Sequence, residues 1–268
     1  MPSAALIRAS LTRRSSLVGF FFCAYAFSWL CWFSVAAASS GHIALPVPKQ
    51  LLTTVGQFGP FLAAILLTAL QTGKPGLREL GRSLLRWKVH PSWFGVALFL
   101  PPASMLAAIG AHSLIQGVPP EFKPVGIVYD VFINFFIVLF IGGPLGEELG
   151  WRGFALPQLQ ASYGSVMASV VLGIAWAVWH LPIWLLAGAF TVPAFSLYIV
   201  STIPLTVLFT WLYNGTRGSV LLAMLFHGSI NTFYVALPIE PAFPAWVILL
   251  WILALVIITS QQRTFAPK

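Results

Sequence analysis

The stretch Phe243-Pro-Ala-Trp-Val-Ile-Leu-Leu-Trp-Ile-Leu-Ala-Leu-Val-Ile-Ile-Thr-Ser260 carries no charged side chain from end to end. An α-helix crosses the hydrocarbon core of a bilayer with about 20 such residues. The rest of the chain reads the same way. Of its 268 residues, 59% are hydrophobic and 7% are charged, against about 25% charged in soluble domains, and the mean hydropathy is +0.90. So few charges cannot cover a water-facing surface, which excludes a soluble globular domain. The fold class this predicts is all-α: a polytopic membrane helix bundle forming one integral membrane domain over residues 1–268.

Apolar runs bounded by charge, proline or glycine predict eight spans, at roughly 17–38, 51–71, 92–116, 126–147, 163–187, 195–213, 219–237 and 243–260. Boundaries near Pro144, Pro182 and Pro204 are soft, because proline kinks a membrane helix without ending it. With eight spans both termini share a side. Placing that side in the cytosol collects Arg8, Arg13, Arg14, Lys74, Arg78, Arg82, Arg86, Lys88, Arg152, Arg217, Arg263 and Lys268, leaving only Lys49 and Lys123 outside. This is the asymmetry expected of cytoplasmic loops. It explains the net charge of +8 by topology, so nucleic acid is not an expected partner and the lipid bilayer is. The first span also resembles a secretory signal ending in Val35-Ala-Ala-Ala-Ser, but its run of roughly 22 apolar residues exceeds the 7–15 of a signal core, and we read it as retained. Cys23 and Cys31 share that one span and imply neither a staple nor a metal cage. The localisation expected is a multi-pass protein of the cell (inner) membrane.

An ionisable group inside a spanning helix costs a few kcal/mol and is a functional candidate by default. Glu79, Glu121 and Glu240 fall in loops and Asp130 near the start of the fourth span, positions that suit solvated charges. Glu147 and Glu148 instead end an apolar stretch, after Gly142-Gly-Pro-Leu-Gly and before Leu149-Gly-Trp-Arg152. Neighbouring side chains on a helix point about 100° apart, whereas residues four apart share a face. Glu148 therefore reaches Arg152, and Glu147 projects elsewhere without that partner. A helix end at headgroup level would explain the same pair without chemistry. His42, His90 and His112 lie in loops or near a span end. His180 and His227 lie within spans, in Trp176-Ala-Val-Trp-His180-Leu-Pro182 and His227-Gly-Ser-Ile-Asn231. Each alone suits a bond between helices; three polar constellations on three spans suit a site.

A carboxylate with an imidazole can deprotonate water, and a second imidazole with a carboxamide can donate to an oxyanion. That set equips the chain to hydrolyse a carbonyl compound. No G-x-S-x-G accompanies Ser229, and no H-E-x-x-H occurs.

The ordered elements Glu147-Glu148-x-x-x-Arg152, Trp176-x-x-x-His180 and His227-x-x-x-Asn231 resemble the motifs of the CPBP, or Abi, family of CAAX-processing and bacteriocin-processing intramembrane endopeptidases. The likeness spans about 140–235, the expected catalytic core. It implies eight spans around a cavity open to the cytosol, with a peptide or protein as substrate. By resemblance, Glu147 and His180 activate the attacking water, His227 and Asn231 stabilise the oxyanion, and Glu148 and Arg152 hold the site together. The second motif commonly has Phe where this chain has Trp176, so Trp176 is expected to wall the substrate pocket with an altered size. Family naming often says metalloprotease. A carboxylate and two imidazoles could form a three-ligand open zinc site, and a metal-free mechanism would use the same residues, so the cofactor is left open between zinc and none. Eukaryotic relatives cut prenylated C-terminal tails; bacteriocin processing or self-immunity is the other use suggested for the family.

A non-enzymatic transporter or scaffold with a proton or ion relay is the rival class. It predicts inverted repeats with paired broken helices, and the two halves show no such symmetry. Depth gives a further expectation. If the fourth helix runs on to about Gln160 and turns at Tyr163, Glu147 and His180 lie roughly 20 and 25 Å along their helices from that turn, but His227 only about 14 Å past its own. For the three to meet, the seventh helix must be set deeper or offset.

Overall fold

The computed structural model describes residues 4–122 and 127–260, and the side chains of all of these except 4–14 and 127–130. Arg8, Arg13, Arg14, Lys123, Asp130, Arg263 and Lys268, which entered the charge reading, lie outside the described side chains. Among the described residues eleven α-helices follow one another: α1 (Ala4–Ser39), α2 (Lys49–Gly56), α3 (Gly59–Leu84), α4 (Ser92–Gln116), α5 (Ile127–Ile141), α6 (Pro144–Glu148), α7 (Leu156–Trp179), α8 (Leu181–Leu186), α9 (Val192–Gly215), α10 (Val220–Ala236) and α11 (Phe243–Ser260). A π-helical turn, Leu149–Ala155, joins α6 to α7. No strand occurs among the described residues.

All eight apolar stretches fall on helices. Among the described residues five helical stretches are long and apolar enough to cross a membrane, and six if the bent pair α2–α3 counts as one. One of the five is Val131–Leu186, far longer than one crossing and interrupted at Gly143 (φ 113°) and Gly164 (φ 74°). α10 is an apolar helix of 17 residues. The fourth predicted span departs most from expectation: α5 stops at Ile141, and the chain turns at Gly142–Gly143 before α6 begins. Gly143 adopts a positive φ that only glycine takes readily, and Pro144 then opens α6 with a ring that continues no helix hydrogen bond from upstream. The fifth span also breaks, at His180, because Pro182 removes the donor that would carry α7 into α8.

Small and hydroxylated residues bring the helices close where lipid supplies no hydrophobic drive. Ser169 Oγ donates to Thr210 Oγ1 at 2.7 Å, and Thr202 Oγ1 to the Gly173 carbonyl at 3.1 Å, joining α7 to α9. A Cβ at Gly173 would lie 2.9 Å from Ile203 Cα. At the other side of α7, Trp29 Nε1 donates to the Trp179 carbonyl at 2.9 Å, and Tyr25 to that of Ala175. Between α1 and the π turn, Trp151 packs edge-on against Phe20 and Trp179, with ring centroids 5.4 and 5.7 Å away. α3 meets the segment after Gly143 so tightly that a Cβ at Gly150 would overlap the Pro60 carbonyl. This approach fixes where the first motif sits against the second span.

Candidate active site

Glu147 and Glu148 end α6, Arg152 lies in the π turn, Trp176 and His180 close α7, and His227 and Asn231 lie on α10. The structure brings these elements together. Glu148 Oε1 is 2.8 Å from Arg152 Nη1 and 2.8 Å from His227 Nδ1, so one carboxylate oxygen ties the first motif to the third. Glu148 and Arg152 are fully buried and His227 almost so. The guanidinium sits in the corner of two nearly perpendicular rings, its carbon 4.7 Å from the Trp176 centroid and 3.8 Å from that of Phe209. Such an aromatic corner suits a weakly hydrated cation better than it would an ammonium.

Glu147 points away from that pair, as its position one residue earlier on the helix requires. Its Oε2 accepts a hydrogen bond from Trp176 Nε1 at 2.7 Å. Trp176 is thus more than a wall: its N–H orients the carboxylate, a contact that phenylalanine cannot make. The sequence reading missed this because an aromatic ring in an apolar helix signals packing, and its polar tip finds a partner only once the helices are placed. The Trp176 ring also meets both imidazoles edge-on, with centroids 5.8 Å from His180 and 5.4 Å from His227.

His180 Nδ1 lies 2.8 Å from the Trp176 carbonyl. A carbonyl only accepts, so Nδ1 carries the hydrogen and Nε2 keeps its lone pair. His227 Nδ1 faces a carboxylate instead, 2.8 Å from Glu148 Oε1. The two imidazoles therefore have different partners, a backbone carbonyl for His180 and a carboxylate for His227. Asn231 Nδ2 reaches the Gly142 carbonyl at 3.4 Å, linking α10 to the turn before α6. His180 and Asn231 are the half-buried members of the set, and Glu147, Glu148, Arg152, Trp176 and His227 the buried ones.

The depth offset is resolved by where α10 begins. A Cβ at Gly153 would lie 3.3 Å from Val220 Cγ2, so α10 starts level with the π turn and not with the turn near Tyr163. Its helix is set deeper, and His227 meets Glu148. The end of the bundle that carries Arg86 and Arg217 holds a cavity of about 490 Å³, lined among others by Gln71, Gly153, Phe154, Gln158, Tyr213 and those two arginines. Glu147 precedes Gln158 by about 15 Å of helical rise, roughly half of the ~30 Å hydrocarbon core.

Zinc does not fit this arrangement. Among the described residues no three His, Cys, Asp or Glu side chains are grouped to hold a metal ion. Trp176 stands beside Glu147 and both imidazoles, and a buried guanidinium lies against its ring.

One polar residue of the neighbourhood carries no motif. Gln57, at the bend between α2 and α3, has its Oε1 beside the Gly143 turn. A glutamine inside the predicted span 51–71, just before Phe58-Gly-Pro60, was the available signal.

Residues 130–233, which contain every candidate site residue, match the family model described as type II CAAX prenyl endopeptidase Rce1-like. The chain is also similar to a protein named CAAX prenyl protease 2 from Methanococcus maripaludis, 26% identical over 222 residues that cover 79% of this chain and 81% of the relative. These matches favour the hydrolase over the ion-relay class. The chain is a multi-pass membrane protein similar to the Rce1-like CAAX-type endopeptidases.

Proposed function

We propose that this endopeptidase hydrolyses its substrate within the membrane by a metal-free mechanism in which Glu147 is the base. The observation that carries this reading is the division between the two adjacent carboxylates. Glu148 is committed to Arg152 and His227. Glu147, held at one oxygen by Trp176, keeps Oε1 for a water. Glu147 and His180, through its Nε2 lone pair, draw the proton from that water as its oxygen attacks the scissile carbonyl carbon. His227 and Asn231 donate to the oxyanion that forms, with Glu148 balancing the imidazolium. The tetrahedral intermediate then expels the amine, which takes its proton from Glu147. Arg152 positions Glu148 and touches no reacting atom. Residues 140–235 make up this catalytic core.

The bundle end with the basic segments faces the cytosol in this reading, with both termini on that side in the inner membrane, and the cavity reaching Gly153 admits water from there. The substrate is a protein or peptide with a prenylated C-terminal CaaX tail, by the name of the archaeal relative. Purified protein given matched peptides, prenylated and bare, tests this by mass spectrometry. Cleavage within the tail should run at least about tenfold faster on the prenylated peptide, a difference of about 1.4 kcal/mol. Equal rates, or cleavage of the bare peptide only, would remove the prenyl group from the substrate.

Trp176→Phe keeps the ring and removes the N–H. Hydrogen bonds to charged groups contribute about 1.5–3 kcal/mol, so kcat should fall about tenfold or more with KM and folding unchanged. A variant as fast as the parent would reduce Trp176 to packing.

A further inference from the structure

We infer that Gln57 is a further residue of the reaction centre, holding the second hydrogen of the attacking water; this rests on the reading of Glu147 given above. Gln57 lies at the 47° bend between α2 and α3, outside all three motifs. Two glycines seat it. A Cβ at Gly146 would lie 2.7 Å from the Gln57 carbonyl oxygen, so α6 approaches the bend along its bare backbone. At Gly143, a Cβ would lie 2.6 Å from Glu147 Oε1 and 3.9 Å from Gln57 Oε1, so the two oxygens border the same small space above that glycine. Gln57 Oε1 is buried and has no hydrogen-bond partner among the described residues. Such an acceptor is costly to leave unmet.

A water bound there points one hydrogen at Glu147 Oε1, with His180 Nε2 as the second acceptor of that same hydrogen, and donates the other to Gln57 Oε1, which turns its oxygen lone pairs outward. Attack forms the C–O bond while the first proton passes to Glu147. The second stays on the new hydroxyl, still donated to Gln57, and leaves with the carboxylic product as the amine takes the first. Gln57 thus touches a reacting atom without exchanging a proton.

The test is steady-state cleavage of a peptide substrate by Gln57→Leu, Gln57→Asn and Glu147→Gln, each checked for monodispersity in detergent. Leucine fills the volume and removes the acceptor, so kcat should fall 10- to 100-fold at unchanged KM. Asparagine draws the oxygen back by one methylene and should show the same kcat-only loss, which keeps the idea testable if the leucine variant does not fold. Wild-type kcat in either folded variant, with Glu147→Gln inactive, would overturn the role of Gln57 alone. Activity in Glu147→Gln would instead overturn the reading beneath it. A loss confined to KM would also overturn the inference, since it places Gln57 in substrate binding.

Discussion

Arg152→Met is expected to destabilise the folded protein by about 3–5 kcal/mol, the cost of removing one partner from a buried ion pair. Methionine replaces much of the arginine stem, though not the guanidinium against the Trp176 and Phe209 rings, so lost stem packing does not account for the loss. The larger effect is electrostatic. Glu148 is fully buried; without Arg152 it keeps only His227, and a charge in that position has no water to turn to. Adding Glu148→Gln should therefore recover part of the loss, because an uncharged carboxamide tolerates the site better than an uncompensated carboxylate. Thermal unfolding of the purified proteins in one detergent reads both. An Arg152→Met protein as stable as the parent would show that the pair holds nothing together, and no recovery in the double variant would assign the loss to packing.

The same pair shows what could be read from the sequence. Four-residue spacing on a helix was enough to join Glu148 to Arg152, and the π turn at Leu149–Ala155 preserves that contact. The all-helical fold and its eight helical stretches were legible because an apolar composition leaves lipid as the only solvent. The path of the fourth span was not. Whether Gly142-Gly-Pro144 kinks a helix or ends it depends on what packs there, and the Gln57–Phe58 backbone lies against Gly146 just after the turn. His227 appeared out of register by its distance from a loop, since nothing in sequence says that α10 begins level with Gly153. Trp176 was read for its ring alone and Gln57 passed over for one reason. Their polar atoms act across helices, and only the bend at Gln57 and the close of α7 aim them at Glu147. The zinc alternative likewise rested on residue types, which the placed side chains do not group.

Glu147→Gln has the largest expected effect on rate. The change leaves shape, burial and the Trp176 hydrogen bond to the remaining oxygen in place, while a carboxamide neither accepts a proton from water nor returns one to the amine. General base catalysis contributes typically 10²–10⁴-fold, and here the same group also serves as acid, so kcat should fall at least about 10³-fold, placing it at the upper part of that range. Because Glu147 forms no ion pair with Arg152, unlike its neighbour, folding should be untouched. Glu148→Gln should differ in kind, losing stability along with activity.

Single-turnover cleavage of a prenylated CaaX peptide by wild-type protein and Glu147→Gln, reconstituted side by side and confirmed folded, addresses the mechanism most directly. The account predicts product from the wild type and none above background from the variant over the same interval. Product formed by Glu147→Gln at the wild-type rate would contradict it.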